Sequence, residues 1–175
     1  MSRPPIYSFR MGKHGKALKA KVANSSGDWP VFNIKESLSR PHVTIIQAAP
    51  PQRVIATVTF HTLSSNIDIT LNGQPIQLRK KDSFSGDRAF FYHAAGELCW
   101  KELGVLSSGL RLVNSRGMEL CRYKKRHGFD VFVQMNQAFL NVILITGLTT
   151  AKYKRMADEG ATEAGGEIIS ALAGA

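Results

Sequence analysis

The chain has 175 residues, 43% of them hydrophobic, with 23 Lys and Arg against 13 Asp and Glu and a formal net charge of +10. That length suits one domain able to bury about 70% of the surface its unfolded form exposes, which excludes disorder throughout. Cys99 and Cys121 are too few for a disulfide framework or a four-cysteine zinc site, and no run reaches the ~20 apolar residues of a bilayer-spanning helix. Residues 1–11 lack the apolar core of a secretory signal, so a reducing, cytoplasmic setting is expected and Asn24-Ser25-Ser26 reads as a chance sequon.

From residue 6 to about 133 the pattern is one of short β-like runs broken by turn residues. Ile6-Tyr7-Ser8-Phe9-Arg10 alternates, Met11-Gly12-Lys13-His14-Gly15 interrupts it, and 17–23 resumes as a half-exposed strand carrying Lys19 and Lys21. Residues 24–28 read as a loop. Runs at 31–34, 43–48 and 54–61 are rich in β-branched residues, with Pro30, Pro41, Pro50 and Pro51 at the breaks. The clearest signal is Ile67-Asp68-Ile69-Thr70-Leu71, then Asn72-Gly73, then Pro75-Ile76-Gln77-Leu78. Asn-Gly accepts the positive φ angles of a type I′ hairpin turn, and Pro75, which has no N–H, places the second run at an edge or bulge. Further strands are expected at 88–93, 97–103, 110–114, 118–124 and 129–133, punctuated by glycines. Strands this short and regular imply an antiparallel barrel or sandwich.

The pattern changes at Asn136. Residues 139–151 are apolar with little relief, Asn136 is placed to cap a helix, and Lys152-Tyr153-Lys154-Arg155 supplies cations suited to a helix C-terminus. A helix apolar all round is buried in protein or embedded in lipid, and a run this short reads as a buried core helix. Val142, Ile143, Ile145, Thr146, Thr149 and Thr150 are β-branched, which leaves a final long strand as the alternative.

This order of elements resembles the tubby C-terminal-like superfamily, which includes LURP-one-related proteins and phospholipid scramblases, and is most similar to small fungal tubby-like proteins of unknown function. The stretches that carry the resemblance are Arg88-Ala89-Phe90-Phe91-Tyr92, Gly96-Glu97-Leu98-Cys99-Trp100-Lys101, Leu110-Arg111-Leu112-Val113-Asn114, Met118-Glu119-Leu120-Cys121-Arg122-Tyr123 and the segment 139–155. It covers about 6–158. The resemblance implies a closed antiparallel barrel of about twelve strands around a hydrophobic C-terminal helix, one barrel domain over 1–157 with its helix at about 136–156; the Ala/Gly-rich composition of 158–175 reads as a flexible tail. The chain is shorter than tubby proper, and that subfamily's phosphoinositide-binding positions have no residue-by-residue match here. Physics favours the same architecture, because an apolar helix fills a barrel interior while closure removes exposed sheet edges.

No catalytic constellation is apparent. His14, His42, His61, His93 and His127 have no metal-ligand spacing, and no C-x-x-C occurs. Gly104-Val105-Leu106-Ser107-Ser108-Gly109 lacks nucleophile-elbow spacing and reads as a turn, and 12–16 lacks the spacing of a phosphate-binding loop. Both cysteines sit between apolar neighbours, where thiols are inert. A non-enzymatic protein without cofactor or metal is expected.

Charge is the informative feature. Residues 1–27 hold Lys13, Lys16, Lys19 and Lys21, with Arg3 and Arg10, and no acid; Arg79-Lys80-Lys81 follows the hairpin, and Lys124-Lys125-Arg126 sits at another strand end. If these clusters meet at one end of the barrel they form a site for an anionic surface, and the resemblance suggests anionic phospholipid or phosphoinositide headgroups, with the protein peripheral at a membrane. Nucleic acid is the alternative partner, and a protein-interaction or structural role a third. The competing reading is that the cations are solvated strand ends that keep a β-rich protein soluble.

Overall fold

The computed structural model describes residues 3–21, 28–61, 64–104 and 108–173, with the side chains of 28, 29 and 161–173 left out of account. The sequon at Asn24, the loop 24–27 and Val105 to Ser107 of the 104–109 turn lie outside the described residues. The chain forms β1 (Tyr7–Met11), β2 (Ala17–Lys21), β3 (Asp28–Glu36), β4 (Val43–Gln47), β5 (Val54–Phe60) and β6 (Ile67–Leu71). It continues with β7 (Gln74–Lys80), β8 (Arg88–Tyr92), β9 (Gly96–Glu102), β10 (Leu110–Asn114), β11 (Glu119–Lys124) and β12 (Gly128–Val131), and ends in α1 (Gln137–Ala173).

Each strand pairs antiparallel with its neighbours in sequence, and β1 pairs with β12 through Tyr7↔Val131, Ser8↔Asp130 and Phe9↔Phe129, closing a twelve-stranded barrel. The hairpin at Asn72-Gly73 has the positive φ angles its residues predict, +47° and +79°. Pro75 pairs with Thr70 on β6, while β7 meets β8 only through Arg79↔Ala89 and Lys80↔Arg88, so the Pro75 half of β7 is a local edge.

The 139–155 segment is helical, not a final strand. Asn136 caps it as its position suggests: its carboxamide oxygen accepts from the Phe139 N–H at 2.9 Å. Residues 142–150 are buried without a break. Successive helical residues point about 100° apart, so nine buried in a row place this stretch inside the barrel, surrounded on every side. The β-branched threonines fit because each hydroxyl donates to a carbonyl one turn back: Thr146 to Val142, Thr149 to Ile145 and Thr150 to Thr146, at 2.7–2.8 Å. Thr146 Oγ1 also accepts from the buried Trp100 indole of β9 at 2.9 Å, tying helix to wall.

The helix is longer than its sequence suggests. An end near 156 was expected, with a tail over 158–175, yet the backbone continues as helix to Ala173. The cations read as terminal caps lie mid-helix and bind barrel acids: Lys152 to Glu36 and Lys154 to Glu102, both at 2.7 Å. Among the described residues no helix is long and apolar enough to cross a membrane.

Candidate functional site

In an antiparallel meander every odd-numbered strand runs toward one end of the barrel and every even-numbered strand away from it. Glu36 and Glu102, which hold Lys152 and Lys154, are the last residues of β3 and β9, so α1 leaves at that end. It enters at the other, where Phe139 stacks on Tyr92, the last residue of β8, at 5.2 Å. Among the described residues the exit mouth is therefore built from 12–16, 37–42, 61 with 64–66, 81–87, 103–104 with 108–109, and 125–127.

This topology sorts the ten candidate cations. Lys13 and Lys16 lie in the β1–β2 turn, Lys125 and Arg126 in the β11–β12 turn, and Lys124 at the end of β11; all five are exposed at the exit mouth on neighbouring sectors of the wall. None of them forms an ion pair among the described residues. Arg79, Lys80 and Lys81 are at the same mouth but across the barrel, where Arg79 donates to Gln77 at 2.7 Å and Lys80 to the Ser83 carbonyl at 3.2 Å. Lys19 and Lys21 are not at the mouth; they lie on the outer wall of β2, running away from it.

Two concavities flank the β11–β12 turn. The larger, about 540 Å³, opens between α1 and the mouth. Its floor is apolar, formed by Met11, Ile34, Val43, Ile45 and Leu148, and Lys125, Arg126, His14 and the helix cations Lys152, Lys154 and Arg155 rim it. Glu36, Asp158 and Glu159 also line it, Glu36 bound by Lys152 and Glu159 lying 3.6 Å from Arg155. The buried Tyr123 phenol borders the same space; burial raises its pKa, partly offset by nearby Arg155. The smaller, about 250 Å³, lies on the outer wall among Ser8, Arg10, Lys21, Lys124, His127 and Asp130. Beside it β12 approaches β1 closely at Gly128, which has φ +87° and where a Cβ would sit 2.0 Å from the Phe9 carbonyl oxygen. On the same wall Arg10 is directly opposite Lys19, a like-charge cross-strand pair.

The two most exposed large apolar side chains, Leu38 and Phe84, also stand at the exit mouth, in the β3–β4 and β7–β8 turns. The Phe84 turn is braced by Asp82, whose carboxylate accepts the Phe84 N–H at 2.9 Å and the Ser85 N–H at 2.6 Å. These bonds, with the Ser85 hydroxyl, hold the Asp82 carboxyl below its usual pKa range. Sequence reasoning passed over both residues, since a lone apolar residue in a polar turn is conspicuous only once the turns are known to face one way.

Arg88, read in the sequence only as the start of a strand, proves buried, its guanidinium 4.2 Å from the Tyr153 ring centre and bonded to the Ser65 carbonyl. Tyr153 packs on Phe60, and Phe60 on His42, an aromatic file that seats the helix as it leaves. Elsewhere at this mouth His61 Nε2 lies 2.6 Å from Asp68, whose carboxyl is held low, first by a hydrogen bond from Gln77 and then by His61. Cys99 and Cys121 are buried free thiols, and burial raises the pKa of each, that of Cys121 strongly. Among the described residues no three His, Cys, Asp or Glu side chains converge as a metal site.

No protein-family model, curated protein or solved structure matches the chain.

Proposed function

We propose that the protein is a non-enzymatic, tubby-like module that docks on anionic membrane surfaces, phosphoinositide headgroups included, through the exit mouth of its barrel. The observation that carries this reading is the coincidence at one mouth of exposed cations, without an ion pair among the described residues, with Leu38 and Phe84, which are fully exposed. A solvated basic surface has no use for apolar side chains at its tips. Peripheral membrane binding uses both, apolar residues entering the headgroup boundary and cations drawn to acidic lipid. Nucleic acid is the second reading: single strands stack on exposed aromatic rings among the cations, and Phe84 is one such ring at this mouth, whereas Phe9 and Tyr123 are buried.

Vesicle flotation tests the reading. At moderate salt the protein should float with phosphatidylcholine vesicles only when phosphatidylserine or a phosphoinositide is included. At ~1 kcal/mol per cation, replacing Lys124, Lys125 and Arg126 by Ala should weaken binding by about a hundredfold. Phe84→Ser should weaken it too while leaving thermal stability unchanged. Flotation indifferent to anionic lipid would remove the proposal.

A further inference from the structure

We infer that the cavity at the helix exit is a binding site for a single-chain anionic amphiphile, a long-chain fatty carboxylate taken up as a free molecule. Its volume, about 540 Å³, lies within the roughly 300–1,000 Å³ of small-molecule sites. Its construction is two-toned. Met11, Ile34, Val43, Ile45 and Leu148 form a floor continuous with the core, a surface suited to a hydrocarbon chain and to nothing hydrated.

The rim selects the head group. Five Lys and Arg side chains line the cavity against three carboxylates. Lys152 and Arg155 are engaged by Glu36, and Lys154 by Glu102, but Lys125 and Arg126 have no ion-pair partner among the described residues. They stand on the β11–β12 turn, at the edge of the apolar floor. Tyr123 borders the same space, and its hydroxyl is a neutral donor for a carboxylate oxygen. A carboxylate held there by Lys125, Arg126 and Tyr123 directs its chain down between β3, β4 and α1. This site shares Lys125 and Arg126 with the docking surface, but a headgroup held at a bilayer needs no such floor, so occupancy of the cavity is read without vesicles.

Calorimetry below the micellar limit tests the assignment, with dodecanoate as probe and dodecanol, dodecyltrimethylammonium and inorganic phosphate as comparisons. Dodecanoate should bind one per chain, and the other three at least tenfold more weakly. Lys125→Glu with Arg126→Glu should weaken dodecanoate tenfold or more. Val43→Phe, which places a ring in the cavity, should abolish binding while leaving flotation on anionic vesicles intact; Met11→Trp serves the same purpose should Val43→Phe fail to fold. The proposal is overturned if dodecanoate does not bind, if the cationic amphiphile binds as well, or if a folded filling variant retains full affinity.

Discussion

Gly147 is where α1 passes the two large rings of the core. A Cβ at this position would lie 2.5 Å from Phe129 Cε1 and 2.7 and 2.9 Å from atoms of the Trp100 indole. Glycine inside a helix costs about 1 kcal/mol relative to alanine, but forcing a methyl into a filled core costs typically ~1–3 kcal/mol. Here the second effect wins, because both rings are themselves locked: Trp100 is fully buried and bonded to Thr146, and Phe129 lies edge-on to it at 6.3 Å. Gly147→Ala should therefore destabilise the protein by about 1 kcal/mol or more despite the better helix former, read as a lower urea midpoint. A raised midpoint would mean that the wall yields to the methyl. Thr146 shows the opposite economy, one hydroxyl both accepting from the indole and donating to Val142, so a polar atom deep in the core has its bonds satisfied.

At the level of elements, local signals were legible where the chain settles its own conformation. Asn72-Gly73 dictated its turn, and Asn136 its cap. That cap lies outside the barrel, exposed, so its loss affects only the first turn of α1: Asn136→Ala should cost about 1 kcal/mol and leave the unfolding cooperative. A drop of several kcal/mol in thermal or chemical unfolding would show that residue 136 bears on the barrel as well. The helix end was illegible for the converse reason. Lys152-Tyr153-Lys154-Arg155 has the composition of a terminal turn, but its partners Glu36, Glu102 and Arg88 arrive from β3, β9 and β8. No local rule reaches that far. The basic mouth is a similar case. Each cation cluster was visible in the sequence, but which of them share an end follows from strand parity and closure, and Lys19 and Lys21 fell on the outer wall for that reason.

For the molecule as a whole, closure governs access to the interior. Cys121 on β11 is fully buried and Cys99 on β9 nearly so, each with its thiol pKa raised foremost by desolvation. In a closed barrel with a threaded helix neither is reached by fraying of one strand. Thiol-reagent labelling in dilute urea should therefore proceed at the rate of global opening, with both cysteines modified together; fast modification of either one would mean that the wall opens locally. The sign of the linkage is also fixed. A thiol whose native pKa is raised contributes stability present in full below its unfolded value, about 8.5, and lost as pH rises beyond it.

The threading of α1 through the barrel has a consequence for biosynthesis. The segment that fills the interior follows all twelve strands in the chain, so the ribosome delivers a wall before its contents. The buried stretch of α1 is complete at residue 150, some way after β12 ends at Val131; at roughly 5–20 residues per second that interval lasts about one to four seconds. Through it, the inward faces of Trp100, Phe129 and their neighbours have no helix to meet. The nascent chain is then a sheet with an uncovered apolar face, and its need for a chaperone is concentrated in that interval and ends when the helix docks.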